Sequence, residues 1–236
     1  MNRMRAENAY RTSIPLDAEE RIRKRFDHGG PREADYFLND ERVGFREFFS
    51  TGDLMQERTF KSGVRHGVDY RWDDPGVLLS AEPYEEGLPH GTAYQWSHDG
   101  RLIGTYTLER GTGIDLWRQD WSDGTVTLAE AHYLKEGVPH GFEWWIDYDQ
   151  KSVYSERHWQ KGQFHGIERQ WNHESKLRRG YPKYWVRNQR VDKRKYIRAT
   201  AKDPTLPPFL TEDNSPRREF PPEIRVHLHP NPPAME

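Results

Sequence analysis

The chain has no cysteine, few aliphatic side chains and no long apolar run; Leu, Ile, Val and Phe together make up 18% of its 236 residues. Without cysteine, a disulfide scaffold, a Cys-ligated zinc site and a thiol nucleophile are all excluded. No stretch approaches the ~20 apolar residues of a membrane-spanning helix. The N-terminus lacks the apolar segment of a secretory signal, so the expectation is a soluble, cytoplasmic protein. A low aliphatic content together with a high net charge would signal disorder. Here the formal net charge is only −2 and aromatics reach 13%. These values predict a folded chain with a thin, aromatic core. Also missing are a nucleophile elbow, a phosphate-cradling loop, a His-Glu-x-x-His helix and a dinucleotide fingerprint. No enzyme and no cofactor are expected.

The glycines are placed at regular intervals. KSGVRHG (Lys61 to Gly67), EEGLPHG (Glu85 to Gly91), KEGVPHG (Lys135 to Gly141) and QKGQFHG (Gln160 to Gly166) are copies of one motif, with a degraded copy at Glu109 to Gly113. Their first glycines, at 63, 87, 111, 137 and 162, step by 24, 24, 26 and 25 residues. Gly52, Gly76, Gly100 and Gly124 form a second column, each followed two residues on by Leu54, Leu78, Leu102 or Val126. Phe60, Tyr84, Leu108, Leu134 and Trp159 precede the first glycines by three. Phe48, Trp72, Trp96, Trp121, Trp145 and Trp171 make a further column. Several columns in one register mark a repeat array. Short aromatic and β-branched runs between Gly turns read as β-hairpins. Such hairpins are marginal alone, so they must stack.

The pattern of an aromatic, Gly, His-Gly, a second aromatic and Gly-x-Leu resembles the variant MORN repeat of bacterial proteins classed as YwqK-like antitoxins, over roughly residues 36–177. The resemblance implies a mainly β fold: an elongated single antiparallel sheet of about six stacked hairpins. With strands ~4.8 Å apart, six hairpins would extend on the order of 60 Å. It implies, for function, a scaffold that holds a protein partner such as a toxin or effector. The sequence departs from the pattern at Gly111-Thr112-Gly113 and at Gln150, where a turn glycine is missing, so hairpins four and five are expected to be bent or bulged.

Residues 1–35 are expected to form a helical cap, opened by Asp17 and stopped at Gly29-Gly30-Pro31. Residues 178–202 read as a basic hairpin and helix, with Asp192 as N-cap. Residues 203–236 read as a Pro-rich extended tail without a core of its own. Charge is divided unevenly: residues 35–175 carry a net −11, whereas residues 176–198 carry ten basic side chains and one acid. Those ten are Lys176, Arg178, Arg179, Lys183, Arg187, Arg190, Lys193, Arg194, Lys195 and Arg198. Beyond a solvated face, this patch offers a nucleic-acid or anionic-surface contact as the alternative function.

His66, His90, His140 and His165 would lie about 10 Å apart in stacked repeats, too far to share an ion, so they are assigned to loop structure and no metal is expected. Paired carboxylates at Asp120 and Asp123 and at Asp147 and Asp149 fit ordinary turn chemistry. The tryptophans Trp96, Trp145 and Trp171 are assigned to the core. Trp144 must face opposite to Trp145 in one strand, and Trp117 is additional to the column. Large aromatics on an outer face anchor protein contacts. Trp117, Trp144 and Trp185 are therefore the expected protein-binding residues.

Overall fold

The computed structural model describes residues 9–73 and 76–229. Pro230, Pro232 and Pro233 of the expected tail lie outside the described residues. The chain is mainly β and divides into two compact units, Met1–Gly111 and Thr112–Glu236.

The first unit is an antiparallel sheet of β1 (Glu19–Arg25), β2 (Pro31–Leu38), β3 (Glu41–Phe48), β4 (Leu54–Lys61), β5 (Val64–Arg65), β6 (Gly67–Trp72), β7 (Leu78–Glu85), β8 (Leu88–Pro89), β9 (Gly91–Trp96) and β10 (Leu102–Glu109). Residues Glu19–Arg25, expected to be helical, form an edge strand paired with β2. Only Ile22 in this segment is apolar. That is too little to bury a helix face, whereas β2 offers it a full row of backbone partners. The second unit comprises β11 (Thr112–Asp120), β12 (Val126–Lys135), β13 (Val138–Ile146), β14 (Val153–Gln160), β15 (Gln163–Phe164), β16 (Gly166–Gln170), β17 (Lys183–Val186), β18 (Gln189–Val191), α1 (Lys193–Thr200) and α2 (Pro222–Arg225). Asp192 caps α1, accepting from the Lys195 N–H.

The repeat motif has a direct structural cause. At Lys161 and Gly162 φ is +50° and +75°, the two positive values of a type I′ turn, the form that matches strand twist in a tight hairpin. The same signs recur at Ser62-Gly63, Glu86-Gly87 and Glu136-Gly137. Each turn also binds its neighbour: Gly87 N–H donates to Arg65 O at 2.8 Å, and Gly162 N–H to Pro139 O at 2.9 Å. Two of the four motif histidines join this stacking. His90 Nδ1 accepts from the Arg110 N–H at 3.1 Å, and His165 Nδ1 from the Arg187 N–H at 3.1 Å.

Strand alternation gives each unit two faces, and a segment outside the strands packs on one face of each: residues 10–14 on the first, residues 206–224 on the second. In the first unit Tyr10 lies against Tyr70 and Trp72, and Ile14 is buried with Ala34 and Tyr36. Tyr10 O–H and Arg46 Nε both donate to Glu57 Oε2 at 2.8 Å. In the second unit the tail does not hang free. Val153 N–H donates to Pro216 O at 2.9 Å, Trp171 Nε1 donates to Asn214 O at 2.7 Å, and Phe220 meets the Trp144 ring edge-on at 5.6 Å. Tyr196 of α1 packs with Ile167, Tyr184 and Leu206. Beneath the tail, Glu156 accepts from Arg169 Nη1 at 2.6 Å and from Arg218 Nε and Trp144 Nε1, each at 2.8 Å. Glu57 and Glu156 occupy the same repeat position, three residues before Phe60 and Trp159. Each buried aromatic removes roughly 150–250 Å² from water, which compensates for the scarce aliphatics.

Candidate protein-binding face

The opposite face of the second unit carries the groups available for recognition. Cross-strand pairing sets out one row as Trp117, Glu130, Trp145, Ser155 and Gln170. A parallel row runs Asp115, His132, Glu143 and Arg157, and Glu168 pairs with Lys183 on the same face. Directly opposed groups in such rows interact across strands.

The carboxylates on this face hold the aromatic rings in place. Trp159 Nε1 donates to Glu143 Oε2 at 2.7 Å, and Trp185 Nε1 donates to Glu168 Oε2 at 3.0 Å. Phe164 is stacked between these two indoles, with centroid separations of 4.0 and 5.2 Å. Arg157 lies over Trp145, its guanidinium carbon 4.6 Å from the ring centre. Beside it opens a cleft of about 330 Å³, lined by Trp145, Tyr154, Ser155, Arg157, Gln170 and Arg178.

His132 is clamped between two carboxylates, with Nδ1 2.9 Å from Glu143 Oε1 and Nε2 2.8 Å from Glu130 Oε2. Burial acts to lower its pKa, but those two hydrogen bonds outweigh it and raise the value from 6.5 to about 9. A raised cationic pKa stabilises the fold fully below the ordinary value, and that contribution is lost as pH rises through about 9. NMR titration is therefore expected to find His132 charged at neutral pH, and Glu143→Gln to lower its midpoint. A His132 midpoint near 6.5 would show that the clamp is not formed.

Of the expected binding residues, Trp117 and Trp185 share this face and are half-buried. Trp144 does not: it is 7% exposed, bonded to Glu156 and covered by Phe220. Its place on the accessible side is taken by Trp145, which the repeat column assigns to the core. A signal for this was present. Counted from the His-Gly glycine, Trp72, Trp96 and Trp171 stand five residues on, but Trp145 stands four residues after Gly141 and Ile146 takes the fifth place. One residue of slip reverses the face. Trp117 likewise stands four after Gly113. Arg157 and Phe164 are not singled out by the sequence, and Trp159 stands there only as a member of a repeat column.

The basic residues are dispersed. Lys176 pairs with Glu174, Lys183 with Glu168, Arg187 with Asp203 and Lys195 with Asp192. Arg178 enters the cleft, and Lys193 Nζ sits 3.7 Å from the centre of the Phe209 ring. Arg179, Arg190, Arg194 and Arg198 are exposed. The paired carboxylates act on their own turns: Asp123 accepts from Thr125 N–H, and Asp149 from Lys151 and Ser152 N–H. Among the described residues no three His, Asp or Glu side chains converge as a metal site requires, and no helix is long and apolar enough to cross a membrane. No protein-family model matches the chain, nor does any curated protein.

Proposed function

We propose that the chain is a non-catalytic repeat scaffold that binds a protein partner through the face bearing Trp117, Trp145 and Trp185. The observation that carries this reading is the set of half-buried indoles fixed by carboxylates beside a cleft lined by two arginines. Rigid aromatics next to arginine are the commonest anchors of protein interfaces. The resemblance to the variant MORN repeat supports an antitoxin-like or immunity-like role, in which the face holds a toxin or effector stoichiometrically. Inhibition of that kind needs area and complementarity but no reacting group.

The test is capture of a partner from the native cells by the intact chain, compared with Trp145→Ala and Trp185→Ala. Truncating a central anchor costs about 2–4 kcal/mol, or roughly 30-fold or more in affinity. Capture unchanged by both substitutions, with melting temperatures preserved, would refute the assignment. The exposed cations Arg179, Arg190, Arg194 and Arg198 favour a second reading, contact with nucleic acid or an anionic surface. It predicts binding in a gel shift that weakens steeply with salt. Binding that ignores salt, or is absent, would dispose of it.

A further inference from the structure

We propose that the cleft beside Trp145 is a carboxylate-recognition site that takes an Asp or Glu side chain from an acidic segment of a protein partner. The proposal rests on the binding-face reading above and specifies its chemistry. Arg157 projects from β14, stacks on Trp145, lies 5.9 Å from the Phe164 ring centre and, among the described carboxylates, keeps a long contact to Glu143, 3.8 Å from Nη1. Its Nε–H is buried with no hydrogen-bond partner among the described residues. Arg178 enters from the loop after β16, held there by its Nε donating to Trp171 O at 3.1 Å, and is otherwise exposed. With Arg178 Nε committed to Trp171 O and Arg157 Nε buried, the two guanidiniums offer the cleft their Nη donors, which suit an end-on planar carboxylate.

Ser155 and Gln170 line the same cleft and supply neutral polar groups. Trp145 and the exposed Tyr154 line it too and suit the apolar stem of an acidic side chain. A volume of about 330 Å³ is at the small end for ligand sites, adequate for one side chain and its neighbours. Carboxylate is favoured over phosphate by what surrounds the arginines. Glu130 and Glu143 share the face, the first directly opposite Trp145 and the second directly opposite Arg157. Their charge offsets part of the arginines' pull on any anion, and a side-chain carboxylate brings what inorganic phosphate lacks, an apolar stem to pack on Trp145 and Tyr154.

The test follows the side-chain N–H resonances of Arg157, Arg178 and Trp145 in the full chain during titration with a capped glutamate-rich peptide. The glutamine counterpart and inorganic phosphate serve as comparison probes. The glutamate peptide is expected to shift all three resonances saturably, and the glutamine peptide to shift none. Arg178→Met, at an exposed position, and Arg157→Lys, which keeps the charge but loses the fork, are each expected to weaken the peptide about tenfold. The proposal falls if the glutamine peptide binds equally well, if phosphate saturates the site at lower concentration, or if both variants leave affinity within about twofold. Failure here with Trp185-dependent partner capture intact removes only the carboxylate assignment. Peptide binding that persists when capture ignores Trp145 and Trp185 supports this site and removes the wider reading of the face.

Discussion

Glu156→Ala is expected to lower the unfolding free energy by about 3–5 kcal/mol, the cost of removing one partner from a buried ionic group. Glu156 is 2% exposed, and the side chains of Arg169 and Arg218 that converge on it are 3% and 10% exposed. Truncation takes the shared carboxylate from two largely buried guanidiniums, leaving Arg169 only Asp213 at 3.5 Å among the described carboxylates, and deprives Trp144 Nε1 of its acceptor. Arg218 belongs to the tail, so the same change should loosen the cover. Hydrogen exchange at Val153 N–H, which donates to Pro216 O, should accelerate along with it. Urea unfolding at pH 7 gives the magnitude, and Glu156→Gln, which keeps an acceptor, should cost less. A loss under about 1 kcal/mol for the alanine variant would mean that apolar contacts of Phe220 and its neighbours hold the tail without the ionic group.

The pH dependence follows from the same geometry. Burial acts to raise the Glu156 pKa, but Arg218 and Arg169, with the Trp144 indole, outweigh it and hold the carboxyl below the ordinary 4.5. A depressed carboxylate pKa contributes stability in full above the ordinary value, and that contribution is lost as pH falls through the folded-state value. The stability difference between the native chain and Glu156→Gln should therefore be constant near neutrality and shrink once pH drops below about 4.5. A difference that stays flat to pH 3 would contradict the buried ionic group.

The sequence made the strands and turns legible because the repeat needs glycine at sharply defined places. It concealed which face would be covered. The covering segments contribute few apolar residues, chiefly Ile14, Leu206, Phe220 and Ile224, and these are separated by prolines and charges that read as tail. A polar terminus docks here because a glutamate in the repeat offers it a buried partner: Tyr10 reaches Glu57, and Arg218 reaches Glu156. No local periodicity predicts a bond across 62 residues. The bulge expected in the hairpin of Gln150 is present, between Trp145 and Ile146, and Gln150 adds a bridge of its own. Gln150 adopts φ +55°, and its carboxamide both accepts from Leu128 N–H and donates to Leu128 O, bridging to the neighbouring strand. Register shifts are not confined to the irregular copies. They recur beside Phe48, Trp72 and Ile146, so the bulge is part of the repeat. Trp117, Trp145 and Trp185 come to one face only once those shifts are placed.

Gly166→Ala is expected to cost about 3–5 kcal/mol, combining positive-φ strain with overpacking. At Gly166 φ is +155°, and a Cβ there would lie 2.6 Å from His158 Cβ and 2.9 Å from its Cγ. These atoms sit close to the backbone of β14 and cannot swing aside as a side-chain tip would. The His158 ring is held as well, its Nδ1 2.5 Å from His165 O. The control is Gly162→Ala in the adjoining turn. There φ is +75° but the new Cβ would make an ordinary contact, 3.6 Å from Val138 Cβ, so only the backbone term of about 1–2 kcal/mol applies. Urea midpoints of the two variants separate the contributions. Equal losses would mean that the glycine of the His-Gly pair is kept for its φ alone, and not for the close approach of two strands. A larger loss at Gly166 should also reach the binding face, because β16 carries Glu168, the acceptor that fixes Trp185, and Gln170 of the cleft. Partner capture by Gly166→Ala should then weaken even at temperatures where the variant remains folded, whereas capture by Gly162→Ala should not.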